Sequence, residues 1–200
     1  MVICGKERYN EPMTDTRTRI LDTAQELIQT RGFCAMSFQH IAEIVGIKKP
    51  SIIHHFASKF ELGKAVIQRY HQYFLGAMQD IQRDPNKSNR DALEFYFTPY
   101  LDFGESGDKV CLCGALAGEF MALGPEMQAE VREFFAAHER WLEEILTAGK
   151  AAGEFRFGGT SHQLARMFLS ALQGGLLVKR ATGSTHQLLD VIDVIRKQVH

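Results

Sequence analysis

Apolar residues recur at the spacing of an amphipathic helix through most of the chain, with capping residues and glycines between the segments. No segment shows the sustained alternation of apolar and polar residues that marks a half-buried strand. The punctuation predicts about nine helices, including a long fourth one opened by Ser58-x-x-Glu61 and a sixth from Asp108 to about Leu123. Ser184-x-x-Gln187 predicts a capping box at the last helix. We therefore expect an all-α fold.

The composition is that of an ordinary globular protein of 200 residues, with 45% hydrophobic and 24% charged residues. No apolar run is long enough to span a membrane, and the first 13 residues lack the apolar core of a signal peptide. We therefore expect a cytoplasmic protein without a membrane partner. The net charge of -1 means that any binding to nucleic acid must rest on the local placement of basic residues.

The four cysteines, Cys4, Cys34, Cys111 and Cys113, are expected to be reduced thiols. Cys111 and Cys113 would point about 200° apart around a helix axis, so they could not share a metal ion. The chain also has no C-x-x-C or H-x-x-x-H pattern. We expect neither a metal site nor a cofactor.

Residues 19–62 carry the most specific pattern in the chain. Ser37 can cap a short helix in which the small Ala42 lets a neighbouring helix approach closely. Gly46 can supply the left-handed turn to the next helix, which is the arrangement of a helix-turn-helix unit. The side chains that can form a compact core beneath the first helix are Ile41, Ile47, Ile52 and Phe56.

The same segment resembles the DNA-binding segment of the tetracycline-repressor (TetR/AcrR) family, in unbroken register over about the first third of the chain. The resemblance implies a homodimeric transcription regulator that binds an inverted-repeat operator in double-stranded DNA. The matching positions are Ile20, Leu21, Ala24, Leu27, Gly32, Phe33, Ser37, Ile41, Ala42, Gly46, Ile47, Ser51, His55, Phe56, Lys59 and Leu62.

The third helix is expected to be the one that reads DNA. With Ile52 and Phe56 facing inward, the 100° step per residue turns His54 outward between Ser51 and Ile53. Hydroxyl, imidazole and aliphatic groups on one exposed face suit contacts with base edges in the major groove.

Basic residues flank that helix. Lys48 and Lys49 precede it, where phosphate contacts are natural, and Lys59 matches the family's phosphate-binding lysine. Ile53 departs from the family, which usually has a phosphate-contacting Tyr at this position. The residues predicted to contact DNA are Ser37, Lys48, Lys49, Ser51, Ile53, His54, His55 and Lys59.

The chain is expected to have three parts: a disordered arm at 1–13, a helix-turn-helix domain at 14–62, and a ligand-binding and dimerisation domain at 63–200. The last helix is apolar around most of its circumference, which implies a covering partner chain. Gly174 and Gly175 make sense where another backbone comes close; a monomer with a hinge at these glycines is the alternative. The residues predicted at the dimer interface are Phe168, Leu172, Gly175, Leu188, Ile192 and Ile195.

Aromatic residues are frequent between the fourth and eighth helices, where the family resemblance implies an inducer pocket. The stretch VCLCGALAGEF is similar to a Cys-Leu-x-Gly sequence in TetR-like regulators that respond to reactive electrophiles. Cys111 is therefore a candidate sensor, activated by its helix N-terminus and Lys109, with a buried structural cysteine as the alternative. The residues predicted to bind a ligand are Tyr100, Cys111, Glu119, Phe120, His138 and Trp141.

Together these patterns predict a transcriptional repressor that a small molecule or an electrophile releases from its operator. Two alternatives stay open: a cysteine-dependent enzyme with His138 or His162 as the base, and a ligand-binding dimer that does not bind DNA. The chain lacks a nucleophile elbow, a P-loop and a dinucleotide fingerprint, so the sequence does not favour an enzyme.

Overall fold

The computed structural model describes residues 15–199, which contain nine α-helices, one 3-10 turn and no strand. This confirms the prediction of an all-α fold. The predicted arm at 1–13 lies outside the described residues. The helices are α1 (Thr16–Arg31), α2 (Phe38–Val45), α3 (Lys49–His55), α4 (Lys59–Arg83), α5 (Asn89–Glu105), α6 (Leu112–Gly118), α7 (Pro125–Ala151), α8 (Ser161–Thr182) and α9 (His186–Gln198).

The helices α1, α2 and α3 pack around one small core. Ile20, Ile41 and Ile52 come from the three helices in turn, and no part of any of them is exposed to solvent. Gly46 links α2 to α3 with a φ of +73°, in the left-handed region that glycine adopts without strain. This unit has the predicted helix-turn-helix form.

The remaining helices form a larger bundle with α7 at its centre. The helix α7 packs against α4, α5, α6 and α8, while α8 also covers α9. Fully buried Phe97, Leu142 and Phe168 mark the core of this bundle. The first half of α4 packs against α1, so α4 belongs to both units and connects them.

The predicted sixth helix is wrong at both ends. The main-chain N–H of Val110 donates to Gln29 O at 3.3 Å, and Gln29 Nε2 donates to Val110 O at 2.9 Å. These bonds hold the segment before Cys111 against α1, so the helix begins only at Leu112. It ends at Gly118, and a 3-10 turn at Phe120–Ala122 leads to α7.

The two predicted capping boxes of the last helices have different outcomes. At α8 the box is complete, because the Thr160 hydroxyl accepts from Gln163 N at 3.1 Å and the Gln163 side chain accepts from Thr160 N at 3.2 Å. At α9 the predicted box of Ser184 and Gln187 does not form. Thr185 is the N-cap residue and already has a helical backbone, without a side-chain cap bond.

Gly149 in α7 should be essential for packing. A Cβ at this position would overlap the ring of Phe155, which is buried. We expect Gly149→Ala to lower the free energy of unfolding by about 1–3 kcal/mol through overpacking. The control Gly76→Ala in α4, where a Cβ would meet no atom within 4 Å, should raise it by about 0.5–1 kcal/mol. Urea unfolding followed by circular dichroism measures both, and equal responses would contradict this packing.

Candidate DNA-binding surface and ligand cavity

The helix α3 buries one face and exposes the other. Ile52 is fully buried and Phe56, directly after the helix, is buried beside it. The rings of His54 and His55 meet edge to face with their centroids 5.5 Å apart, and His55 is half-buried. The side chains exposed on this helix include Ser51, Ile53 and His54. The exposed face therefore combines a hydroxyl, an aliphatic group and an imidazole.

Three further predicted DNA contacts surround this face. Lys48 and Lys49 are exposed at the start of α3. Ser37 is half-buried and caps α2, where its hydroxyl oxygen accepts from His40 N at 3.2 Å. The hydroxyl hydrogen of Ser37 is still available to donate to an acceptor such as a phosphate oxygen.

The Lys59 side chain is held by more contacts within the protein than the sequence indicated. Its ammonium lies 4.5 Å from the centroid of the Phe33 ring and donates to Cys34 O at 3.2 Å. Burial lowers the pKa of Lys59, and the nearby Cys34 and Glu119 side chains oppose that shift. The turn between α1 and α2 thus holds the ammonium, which can reach a phosphate only with its remaining donors.

A narrow, largely apolar cavity with little free space between its side chains lies between α4, α5 and α7. Three residues predicted to bind a ligand, Tyr100, Cys111 and His138, line it together. Most of the other lining side chains were missed, although their spacing could have revealed them, since they recur every three or four residues on three helices. These are Tyr70, Phe74 and Met78 on α4, Phe95, Tyr96, Pro99 and Phe103 on α5, and Phe134 on α7.

A chain of buried polar groups runs along the cavity wall. Gln173 Nε2 donates to the Tyr100 hydroxyl at 3.1 Å, the ring centroids of Tyr100 and Tyr96 lie 5.8 Å apart, and Tyr96 Oη lies 3.0 Å from His138 Nδ1. Burial, with a smaller contribution from His71, lowers the pKa of His138 to about 3. Burial also raises the pKa of Tyr96 and of Tyr100. All of these groups are therefore neutral at physiological pH.

Three predicted ligand-binding residues lie outside the cavity lining. The Glu119 carboxylate accepts from Cys34 N at 2.9 Å and so joins the end of α6 to the turn after α1. Phe120 lies in the 3-10 turn, with the Arg132 guanidinium 4.8 Å from its ring centroid. Trp141 stacks on Tyr96 at 5.6 Å and donates from Nε1 to Met78 O at 3.1 Å, so it supports the wall from behind.

Cys111 and Cys113 are both buried, and only Cys111 lines the cavity. The two groups predicted to activate Cys111 have different outcomes. Cys111 does lie at a helix N-terminus, as the N-cap of a helix of seven residues, but the Lys109 ammonium pairs with Glu26. The Tyr70 hydroxyl donates to Cys111 Sγ at 3.7 Å. Burial raises the pKa of Cys113, so this thiol stays protonated.

The predicted dimer residues need correction. The chain itself buries all six of them, Phe168, Leu172, Gly175, Leu188, Ile192 and Ile195, because α8 and α9 pack on each other and on the bundle. Gly175 makes the close approach, since a Cβ there would lie 3.0 Å from Leu188 Cδ1. The apolar residues left exposed on these two helices are Met167, Leu177, Leu189 and Val194.

A polar depression on the surface adjoins the cavity. The two share Tyr70, Phe74, Pro99 and Phe103 in their walls. The wall of the depression includes residues of α1, among them Gln25 and Asp22, which pairs with Arg69 at 2.7 Å. The depression thus lies between the helix-turn-helix unit and the bundle, next to the cavity.

A helix-turn-helix unit joined to a helical bundle with an internal apolar cavity defines a ligand-responsive transcription regulator of the helix-turn-helix class. Two family models match the chain: "Bacterial regulatory proteins, tetR family" over residues 20–66 and "Tetracyclin repressor-like, C-terminal domain" over residues 91–195. The chain belongs to the TetR family of transcriptional regulators.

Individual relatives agree with this family. The HTH-type transcriptional repressor ComR of Escherichia coli is 26% identical over 94% of this chain and 90% of its own length. The E. coli repressor NemR is 24% identical over 87% of this chain and 88% of its own length. A TetR regulator from Legionella pneumophila has a crystal structure that matches with a TM-score of 0.86 and 30% identity, covering 95% of this chain and all of that one.

None of the helices in residues 15–199 has the length and apolar character to cross a membrane. Within the same range, His, Cys, Asp and Glu side chains form no cluster of three or more that could hold a metal ion.

The buried, neutral His138 should make folding sensitive to acid. Its pKa of about 3 in the folded state lies below about 6.5 in the unfolded chain, so stability falls as the pH drops from 6.5 towards 3. Between pH 7.5 and pH 5, His138→Phe should lose about 2 kcal/mol less unfolding free energy than the wild type. Urea unfolding at both pH values measures this. The control His186→Phe removes an exposed imidazole and should behave as wild type; equal losses in all three proteins would refute the buried neutral state.

Proposed function

We propose that the chain is a homodimeric repressor that leaves an inverted-repeat operator when a small molecule enters the cavity between α4, α5 and α7. The observation that carries this proposal is the position of the cavity. The surface depression that shares four lining residues with the cavity is walled partly by α1, the helix on which α2 and α3 pack. A change in the cavity can therefore reach the DNA-binding face through direct contacts.

DNA contacts are assigned to the exposed face of α3 and the lysines before it. His54, Ser51 and Ile53 would meet base edges, while Lys48 and Lys49 would meet phosphates. Ser37, His55 and Lys59 are placed at the edge of this surface, because each is half-buried. The division into a DNA-binding part at 14–62 and a ligand-binding part at 63–200 follows the same assignment, and the protein would act in the cytoplasm, where its operator is.

The dimer interface is assigned to the exposed apolar side of α8 and α9. Leu177 is 44% exposed and Val194 is 57% exposed, with Met167 and Leu189 on the same two helices. Gly174 lies within this stretch of α8, and a Cβ there would meet no atom within 4 Å. A second copy of α8 can therefore approach closely, which makes a two-fold dimer the simplest way to cover these side chains.

Coupling between cavity and DNA is assigned to two connections. The first is α4, which begins with Lys59 at the DNA-binding unit and carries Tyr70 into the cavity wall. The second is the paired hydrogen bonds between Gln29 of α1 and Val110, the residue next to Cys111 in the same wall. Widening the cavity would displace both connections, so effector and operator would weaken each other's binding.

The contacts in the cavity do not support a cysteine-dependent enzyme. A cysteine nucleophile needs a base within hydrogen-bonding reach. Here the Cys111 sulfur accepts from Tyr70, and His138 Nδ1 is bonded to Tyr96. The same burial of Cys111 makes a reversibly bound small molecule a better effector than an electrophile.

Contacts with DNA should separate into two kinds. His54→Ala should weaken binding to an operator mapped by footprinting by about 1–3 kcal/mol, because it removes a contact with a base edge. Lys49→Ala should weaken operator and random DNA alike and lower the salt slope by about one unit, because it removes one phosphate contact. Fluorescence anisotropy at several salt concentrations measures both effects.

The control for these variants is Lys87→Ala, which removes an equally exposed charge from the loop before α5. It should leave both operator affinity and salt slope unchanged. Wild-type binding by both His54→Ala and Lys49→Ala would show that α3 is not the recognition helix. If footprinting with the wild-type protein reveals no operator, the alternative of a ligand-binding dimer that does not bind DNA is supported.

The dimer should dissociate when a charge enters its apolar interface. Leu177→Asp is expected to produce folded monomers, since burying an unpaired carboxylate opposes association. The control Gln72→Asp places the same charge on an exposed position of α4 and should remain dimeric. Light scattering with circular dichroism measures both properties. A stable Leu177→Asp dimer would exclude this face, whereas Ile192→Asp should unfold the chain because Ile192 is buried within it.

A further inference from the structure

The cavity contains one polar atom that lacks a partner. His138 is buried and lines the cavity, yet its Nε2 has no hydrogen-bond partner among residues 15–199. Buried polar atoms are paired in the great majority of cases, because leaving one unpaired opposes folding by about 1–3 kcal/mol. An unpaired atom beside an apolar cavity therefore indicates a group that a ligand completes.

The surrounding hydrogen bonds determine whether Nε2 is a donor or an acceptor. Each tyrosine hydroxyl has a single hydrogen to donate. Tyr96 Oη lies 3.0 Å from His138 Nδ1. A phenol hydroxyl donates more strongly than an imidazole N–H, and an unprotonated imidazole nitrogen accepts more strongly than a phenol oxygen, so the Tyr96 hydroxyl is the donor of this bond. His138 Nδ1 thus accepts, and the single hydrogen of the neutral imidazole lies on Nε2.

The rest of the wall defines the other properties of a ligand. Among the residues that the structure describes, the lining contains no Lys, Arg, Asp or Glu, and His138 itself is neutral. A buried anion or cation would have no counter-charge in this cavity, which opposes its entry. The narrow space between aromatic rings favours a flat ligand, and stacking on Phe134 and Tyr96 suits an aromatic or conjugated one.

We propose that the effector is a small, flat, uncharged molecule with a carbonyl oxygen that accepts a hydrogen bond from His138 Nε2. This inference rests on the proposed function, because it names the chemical class of the ligand that occupies the same cavity. The effector class is thus an aromatic ketone, aldehyde or ester rather than the corresponding acid. His71, whose Nε2 is also unpaired, packs against the other side of the Phe134 ring and does not line the cavity.

Three probes of nearly equal shape test this assignment on the full-length protein. Acetophenone carries the carbonyl, α-methylstyrene replaces the oxygen with a methylene group, and benzoate replaces the methyl group with a charged oxygen. Isothermal titration calorimetry at pH 7.5 should show acetophenone binding about tenfold more tightly than α-methylstyrene, the effect of one net hydrogen bond. Benzoate should neither bind nor compete. Equal binding of acetophenone and α-methylstyrene, tighter binding of benzoate, or no binding of acetophenone would overturn the proposal.

Variants of the wall identify the donor. His138→Phe should bind the two neutral probes equally, while the control His186→Phe should keep the tenfold preference because His186 is exposed and remote. Tyr96→Phe retains the imidazole and removes the hydroxyl that holds Nδ1 as an acceptor, so it should reduce the preference. Tyr96→Phe also tests the assignment of the donor if His138→Phe does not fold. If either cavity variant keeps the full tenfold preference for acetophenone, another group must cause the selectivity.

Operator binding separates this inference from the function on which it rests. If the protein binds a mapped operator but does not discriminate between the probes, the carbonyl assignment fails and the repressor function stands. If it discriminates between the probes but never binds an operator, the cavity assignment stands and the repressor function fails. If both hold, saturating acetophenone should weaken operator binding in the wild type and have less effect in His138→Phe.

Discussion

The structure depends on the burial of α1 from two sides at once. Ile20, Ala24 and Ile28 are fully buried, and the helix contacts α2 and α3 on one side and α4 and α6 on the other. A sixteen-residue helix cannot satisfy both sets of contacts in more than one position, because packed interiors tolerate little displacement. The DNA-binding unit is therefore connected to the bundle by packing contacts and not by a flexible linker alone. Its orientation is fixed by the bundle that contains the cavity.

The cavity wall holds several polar groups without any charge. Gln173 donates to Tyr100 and Tyr96 bonds to the neutral His138, whose Nε2 has no partner among the described residues. The proposed ligand would supply the missing acceptor without bringing a charge into the wall.

Sequence patterns predicted the helix-turn-helix unit well because its determinants are local. Gly46, Ser37 and the small Ala42 act within a few residues of where they stand, and the structure uses each as expected. The sixth helix was mispredicted because tertiary bonds from Gln29 to Val110 replace its first turn, and no local pattern reveals a partner 81 residues away. The dimer residues failed for a related reason. The sequence of α9 does not distinguish an apolar residue that faces the chain's own core, as Ile192 does, from one that faces solvent, as Val194 does.

Local sequence patterns predicted some of the cavity residues and missed or misplaced others. Tyr100 and His138 stood out as polar groups among aromatics, whereas Glu119 was misplaced because its partner is the main chain of Cys34. Tyr96 was missed although Tyr96, Tyr100 and Phe103 share one face of α5. Helical spacing identifies a common face, but it does not indicate whether that face is filled or hollow.

Several of the contacts that join the two units are made to main-chain carbonyl oxygens. Gln29 Nε2 donates to Val110 O and the Arg180 guanidinium donates to Gln29 O, while within the bundle the Lys179 ammonium donates to Phe103 O. A carbonyl oxygen is present whatever the side chain, so the accepting positions are indifferent to substitution while the donating positions are not. Two of the acceptors, Phe103 and Val110, lie in or beside the cavity wall. The wall can therefore exchange its side chains for those of a different chemical specificity without disconnecting the cavity from the DNA-binding unit.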